Sequence, residues 1–143
     1  MCSYNLLISC PRGKEARAMA EAHYLMDDVG DSSATFWKTR YSGLIKGRTS
    51  LNPVDVVAAL RTLALDSPWK FRYVLKVVPV QLIVPATSEG IREAAGWAAQ
   101  NVGGCSSYRI TLRCRTCKLP TKEILDGLAS AIDVCVNLAN PTC

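Results

Sequence analysis

Two periodicities alternate along this chain, and the alternation restricts what it can fold into. Stretches whose apolar residues recur every second position, the spacing of a strand, are separated by stretches in which they recur every three or four, the spacing of a helix. Tyr4 to Cys10 is a short apolar run stopped by Pro11 and reads as a first strand. Over Gly13 to Val29, Ala18, Ala22, Leu25 and Val29 form one helical stripe flanked by Met19, His23 and Met26, and Gly30 follows as a terminator. Arg17 and Glu21 stand four apart on the outer side and are expected to pair. Ala34 to Tyr41 reads as a second strand, with Phe36, Lys38 and Arg40 on one face and Trp37, Thr39 and Tyr41 on the other. After Ser42-Gly43, Leu44 to Thr49 resumes extended character, as a hairpin partner or a bulged continuation, with Lys46 and Arg48 on the side of Leu44.

Asn52-Pro53 is a helix start, with Asn as cap and Pro in the first turn, and Val56, Val57, Leu60, Leu63 and Ala64 supply a buried face. Tyr73 to Val84 is the most apolar segment; it is expected to be a central strand buried on both faces, with a bulge or edge passage at Pro79. Thr87 can cap a helix running to about Asn101, with Ile91, Ala94, Ala95, Ala98 and Val102 inward. Tyr108 to Arg115 then alternates strictly: Tyr108, Ile110, Leu112 and Cys114 point one way, and Arg109, Thr111, Arg113 and Arg115 the other. Thr121 caps a last helix with an apolar stripe of Ile124, Leu128, Ala131, Ile132 and Cys135, and a loop closes the chain. The order β-α-β(β)-α-β-α-β-α gives an α/β (α+β) fold class, and its first part suits a split β-α-β unit of ferredoxin-like type.

The charge pattern narrows the function. The net charge is +5, and no acid lies between Asp31 and Asp55, between Asp66 and Glu89, or between Glu93 and Glu123. Most of the 17 basic residues fall there: Lys38, Arg40, Lys46 and Arg48 in the first gap, Lys70, Arg72 and Lys76 in the second, Arg109, Arg113, Arg115, Lys118 and Lys122 in the third. If these stretches are strands of one sheet or loops at its rim, they form a positive surface suited to a polyanion. The alternative is a solvated face whose arginines pair with helix carboxylates. The loop Pro11-Arg12-Gly13-Lys14 puts two further positive charges near a helix N-terminus, an arrangement that can bind anions.

Other chemistry finds little support. His23 is the only histidine, and it sits between Met19 and Met26 at helical spacing, so neither Ser nor Cys has an evident base. No Walker or dinucleotide-binding glycine motif occurs. Of the seven cysteines, Cys2, Cys10, Cys105, Cys114, Cys117, Cys135 and Cys143, the pair Cys114 and Cys117 lacks a second pair or a nearby histidine to complete a zinc site. Buried thiols acting as small hydrophobes are the expectation. No cofactor or metal is implied, no apolar run reaches the length of a membrane span, and a cytoplasmic protein without catalytic residues is the reading.

Three segments carry a family resemblance. Arg72-Tyr73-Val74-Leu75-Lys76-Val77-Val78-Pro79-Val80, the stretch from Tyr108 to Arg115 with Cys117-Lys118 and the helix from Lys122, and Val136-Asn137-Leu138-Ala139-Asn140-Pro141 resemble, in order and spacing, the THUMP domain of tRNA-modifying proteins. Asn5-Leu6-Leu7-Ile8-Ser9 and Gly43-Leu44-Ile45 are similar to the ferredoxin-like domain that precedes THUMP in stand-alone proteins assisting tRNA cytidine N4-acetylation. The resemblance implies a ferredoxin-like domain over residues 1–50 and a THUMP-like domain over 51–143. It implies tRNA as partner, presented to a separate catalytic subunit, and places Lys76, Arg113, Arg115 and Lys118 at the family's basic positions. Arg109, on the same face of the alternating stretch, joins them as a candidate, and Lys38, Arg40, Lys46 and Arg48 are secondary candidates. Asn137 departs from the Asp of the family's Asp-Leu-x-Asn-Pro run. The family also continues into a further strand after that run, so the domain as given is expected to lack an edge strand or to be naturally short. Left open are a ferredoxin-like small-ligand or protein-interaction module and the RNA-binding part of a tRNA thiolation or methylation enzyme.

Overall fold

A computed structural model of the chain describes residues 4–101, 107–113, 115, 121–129 and 135–136. The chain divides into two compact units, residues 1–81 and 82–143. Unit 1 has the order β1 (Leu6–Ser9), α1 (Glu15–Asp28), β2 (Thr35–Lys38), β3 (Leu44–Arg48), α2 (Pro53–Asp66) and β4 (Lys76–Pro79). The four strands form one sheet in the order β2-β3-β1-β4 with every neighbour antiparallel. The fold is mixed α+β. The sequence reading groups α2 and β4 with the second domain, whereas both lie within unit 1: β4 lies beside β1, and α2 packs on β4.

The core forms on one face of this sheet. Leu6 and Ile8 of β1 and Ile45 of β3 meet Ala18, Ala22, Leu25 and Met26 of α1 and Val56 and Leu60 of α2. Burying each of the larger side chains contributes about 1.5–3 kcal/mol. Of the stripe expected on α1, Ala18, Ala22 and Leu25 are buried and Met26 joins them, while Val29 lies past the helix end and is partly buried. Gly30 takes φ +96°, the left-handed terminator position. Asn52 caps α2 as expected, its Oδ1 accepting from the amides of Val54 (2.9 Å) and Asp55 (3.3 Å). Gly47 is required by packing rather than by conformation: a Cβ there would lie 2.6 Å from the Phe36 ring.

Four expectations are corrected. The segment after Tyr73 is not a central strand; β4 is a four-residue edge strand paired with β1 alone, and Leu75 and Val78 are exposed. Within unit 1 both helices lie on the same face of the sheet, and an edge strand is where Pro79 is tolerated. The second strand ends at Lys38, because Thr39 turns its hydroxyl onto the carbonyls of Tyr41 and Leu44 and starts the turn early. Arg17 does not pair with Glu21. It donates to the Tyr73 hydroxyl at 3.0 Å, while Glu21 accepts from the amides of Arg72 (2.7 Å), Tyr73 (2.9 Å) and Val74 (2.7 Å). Three amides converging on one carboxylate are a better partner than one solvated guanidinium.

Unit 2 contains α3 (Ser88–Asn101), β5 (Ser107–Tyr108), α4 (Thr121–Ala129) and β6 (Cys135–Val136). Thr87 caps α3 as expected, its Oγ1 accepting from the Gly90 amide at 3.1 Å. The two helices pack on each other closely enough that a Cβ on Gly127 would lie 3.2 Å from Ile91. In the fourth correction, the described residues of the basic stretch form a ladder only at Ser107–Tyr108, which pairs in parallel with β6, and Cys135 belongs to β6 rather than to the last helix. No described helix is long and apolar enough to cross a membrane.

Candidate nucleic-acid interface

The face of the unit 1 sheet opposite the helices is set by strand alternation and register. Leu6 and Ile8 point to the core, so Leu7 and Ser9 take the other face. Leu7 is opposite Lys46 on one side and Val78 on the other, and Lys46 is opposite Trp37. One row across the sheet is therefore Trp37-Lys46-Leu7-Val78. Two residues along, about 6.8 Å, Thr35 is opposite Arg48; in the other direction Leu44, Ser9 and Lys76 are neighbours. No strand position on this face is acidic. Trp37 is 41 % exposed, and the half-buried Lys46 holds its ammonium 5.8 Å from the centroid of the Tyr4 ring.

At the Thr35–Arg48 end, the face opens into a groove of about 410 Å³ lined by Tyr4, Asn5, Ser33, Thr35, Arg48, Thr49 and Ser50. Its floor is organised by Asp31, which is buried. One carboxylate oxygen accepts from the Ser33 hydroxyl (2.6 Å) and amide (3.1 Å), the other from the Thr49 hydroxyl (2.5 Å) and the Ser50 amide (2.9 Å). Burial pushes this carboxyl up; the hydroxyls of Ser33 and Thr49 and the amides of Ser50 and Ser33 outweigh it and hold it well below the usual carboxylate range. The negative charge under the groove is thus fully hydrogen-bonded. Asn5 adds a reciprocal pair with Thr49, its Nδ2 donating to the carbonyl (3.0 Å) and its Oδ1 accepting from the amide (2.9 Å).

The sequence candidates are distributed unevenly over this surface. Lys46, Arg48 and Lys76 share this face, which is open at Thr35, Trp37, Arg48, Lys76 and Val78, half-buried at Leu7, Ser9 and Lys46, and closed over Leu44. Lys38 alternates to the side of Phe36, and Arg40 lies beyond β2, where its guanidinium donates to the Tyr41 hydroxyl at 2.8 Å and sits 5.0 Å from that ring. The Pro11–Lys14 loop is not an open anion site. The Glu15 carboxylate occupies it, accepting from the Gly43 amide at 2.8 Å, and that amide, its own amide and that of Gly13 hold it below its usual range. Cys10 is a buried free thiol, pushed up by burial and then by Glu15. His23 stands edge-on to Phe36, with centroids 4.9 Å apart.

In unit 2 the exposure pattern of the basic stretch persists beyond its short ladder. Arg109, Thr111 and Arg113 are exposed, Ile110 and Leu112 are partly buried, and Arg115 is exposed. Among the described residues no carboxylate pairs with Arg113 or Arg115, whereas Lys70 pairs with Asp28 at 2.9 Å. Lys118, Cys114 and Cys117 lie outside the described residues, as do Cys2, Cys105 and Cys143. Sequence reasoning missed Trp37, Tyr4 and the groove. The alternation placed Trp37 opposite Phe36 but gave no means to decide which of the two aromatic residues faces outward. Comparison of the chain with protein-family models, with curated proteins and with solved structures gives no match.

Proposed function

We propose that this chain is a non-catalytic tRNA-binding protein, an adapter that presents tRNA to a modifying enzyme such as a cytidine N4-acetyltransferase. On this reading the ferredoxin-like part, expected over residues 1–50, extends through α2 and β4 to the end of unit 1, the THUMP-like part, expected over 51–143, has its main body in unit 2, and the protein works in the cytoplasm. The β-α-β-β-α-β order with strands arranged β2-β3-β1-β4 supports the first assignment. The observation that carries the reading is the segregation of charge: Lys46, Arg48 and Lys76 lie on a sheet face without acids, and Arg113 and Arg115 are exposed without carboxylate partners among the described residues. Such surfaces neutralise phosphates and give affinity that falls with salt.

The test is a gel-shift titration of tRNA at low salt with wild type and with Arg113→Ala/Arg115→Ala. Weaker binding and a salt slope reduced by about one unit per lost phosphate contact are expected. Equal affinity for both proteins removes this stretch from the interface. A second reading, a protein-interaction module, is favoured by the large apolar side chains Leu65, Trp69 and Leu75, which are 82 %, 71 % and 65 % exposed. A groove of about 220 Å³ between α2 and β4, lined in part by Leu75, adds to it. Wild type that fails to shift tRNA at low salt selects that second reading.

A further inference from the structure

We infer that the open face of the unit 1 sheet takes a short unpaired stretch of RNA, with one base stacked on Trp37, its phosphates on Lys46 and Arg48, and its neighbouring sugar in the adjoining groove. This rests on the RNA-binding reading above and adds the part of the RNA that is bound. An indole standing on a flat sheet face is a stacking platform, and stacking is tolerant of sequence because every base has a π face. Trp37 is 41 % exposed, and its neighbour across the ladder is Lys46, so a base on the ring has a cation beside it. Tyr4, 5.8 Å from the same ammonium, provides a second ring next to the row.

The groove supplies what a ribose and phosphate require. It holds the hydroxyls of Thr35 and Ser50 and the Arg48 guanidinium, and its volume of about 410 Å³ is that of a ligand site. It lies one pleat from Trp37 on the same face, about 6.8 Å along the strand. The Asp31 carboxylate is buried behind the Ser33, Thr49 and Ser50 groups that line the groove and donate its four hydrogen bonds; these donors weaken its repulsion of an anion, and Lys46 and Arg48 outweigh what remains. A paired helix does not fit this surface in the same way. Its bases are stacked on one another, and double-stranded RNA is met through its backbone and 2′-hydroxyls rather than through base faces.

The test uses the full chain and two labelled probes, a single-stranded octaribonucleotide and a blunt-ended RNA duplex long enough to stay paired, with tRNA as the common reference. Fluorescence anisotropy is measured for wild type, Trp37→Ala, Trp37→Phe and Lys46→Ala, with far-ultraviolet circular dichroism to verify the fold of each. Expected is a loss of about 5- to 150-fold in octanucleotide affinity for Trp37→Ala, the worth of one stacked base. Most of the affinity returns in Trp37→Phe, and duplex affinity is unchanged. Lys46→Ala lowers the octanucleotide salt slope by about 0.7. Octanucleotide affinity unaltered by both Trp37→Ala and Lys46→Ala, while tRNA still binds, overturns this inference alone. Absence of binding to all three probes overturns the RNA-binding reading beneath it.

Discussion

The substitution Asp31→Asn tests the electrostatics of the groove floor. Asp31 is 3 % exposed, and each of its oxygens accepts one hydroxyl and one backbone amide. A carboxamide has one accepting oxygen. Whichever way it turns, its NH2 meets either the Ser33 or the Ser50 amide, and two donors then face each other. A hydroxyl can rotate to accept; an amide cannot. Leaving that amide without an acceptor costs about 1–3 kcal/mol, and replacing charge-assisted bonds on the other side by neutral ones costs about 1 kcal/mol more. The expected loss at pH 7 is therefore about 2–4 kcal/mol, a large part of the stability of a small domain.

The pH dependence gives a second, independent readout. The native carboxyl is held below its unfolded value of about 3.9, so folding favours the ionised form. This stabilisation is present in full above the unfolded value and is lost as the pH falls through the lower native value. Urea unfolding followed by circular dichroism should show a constant gap between wild type and Asp31→Asn from pH 7 to pH 5. Below pH 4 the gap should narrow by up to about 1.4 kcal/mol per pH unit. A gap smaller than about 0.5 kcal/mol at pH 7, no larger than an ordinary surface substitution, refutes the hydrogen-bond count. A gap that persists unchanged to pH 3.5 refutes the assignment of a depressed native value.

Two further substitutions probe how unit 1 holds its sheet. Gly47→Ala drives a methyl group into the Phe36 ring, 2.6 Å from its edge, and should destabilise by about 1–3 kcal/mol in thermal melts; Gly47→Ala with Phe36→Leu should recover part of the loss. Glu21→Ala removes the acceptor for the amides of Arg72, Tyr73 and Val74 and should cost about 2 kcal/mol. Hydrogen exchange of those three amides should rise ahead of the rest of the unit, and exchange that rises uniformly contradicts this assignment.

The helices of this chain were legible because their ends are written in local chemistry. Asn52-Pro53, Thr87 and Gly30 each act within a few residues, and each sits where its type dictates. Strand order is not local. Nothing between Tyr73 and Val84 distinguishes a central strand from an edge strand lying over a one-sided core, and the apolar count alone favoured the wrong one. The same limit separates Lys38 from Lys46: both alternate correctly within their strands, but only the register of β2 on β3 puts them on opposite faces. Asp31 carried a readable signal in Asp31-Ser32-Ser33, since an aspartate two residues before a serine readily accepts its amide. Its second pair of donors, Thr49 and Ser50, lies just past the end of β3 and could not be read from that turn.

The use of the acids explains why the bases of unit 1 stay on its surface. A chain with mixed charges can neutralise its cations by ion pairs, and the i,i+4 spacing of Arg17 and Glu21 invites one. Here Asp28 takes Lys70, but three other carboxylates are drawn to backbone donors: Glu15 to Gly43, Glu21 to residues 72–74, Asp31 to residues 33 and 50 with two hydroxyls. Each of these amides ends a strand or a turn and would otherwise lack a partner, so the carboxylate satisfies a group whose neglect costs about 1–3 kcal/mol. An exposed ion pair returns about 0–1 kcal/mol. The backbone amides therefore outcompete the cations, and the acids join loops to α1 and to the sheet end while Lys46 and Lys76 keep their charge on the open face. Positive potential on that face is thus a consequence of how the loops are tied. Removing Glu21 should therefore disturb the sheet end before it alters the charge an RNA would meet, whereas removing Asp31 both loosens the groove floor and takes a negative charge from beneath it.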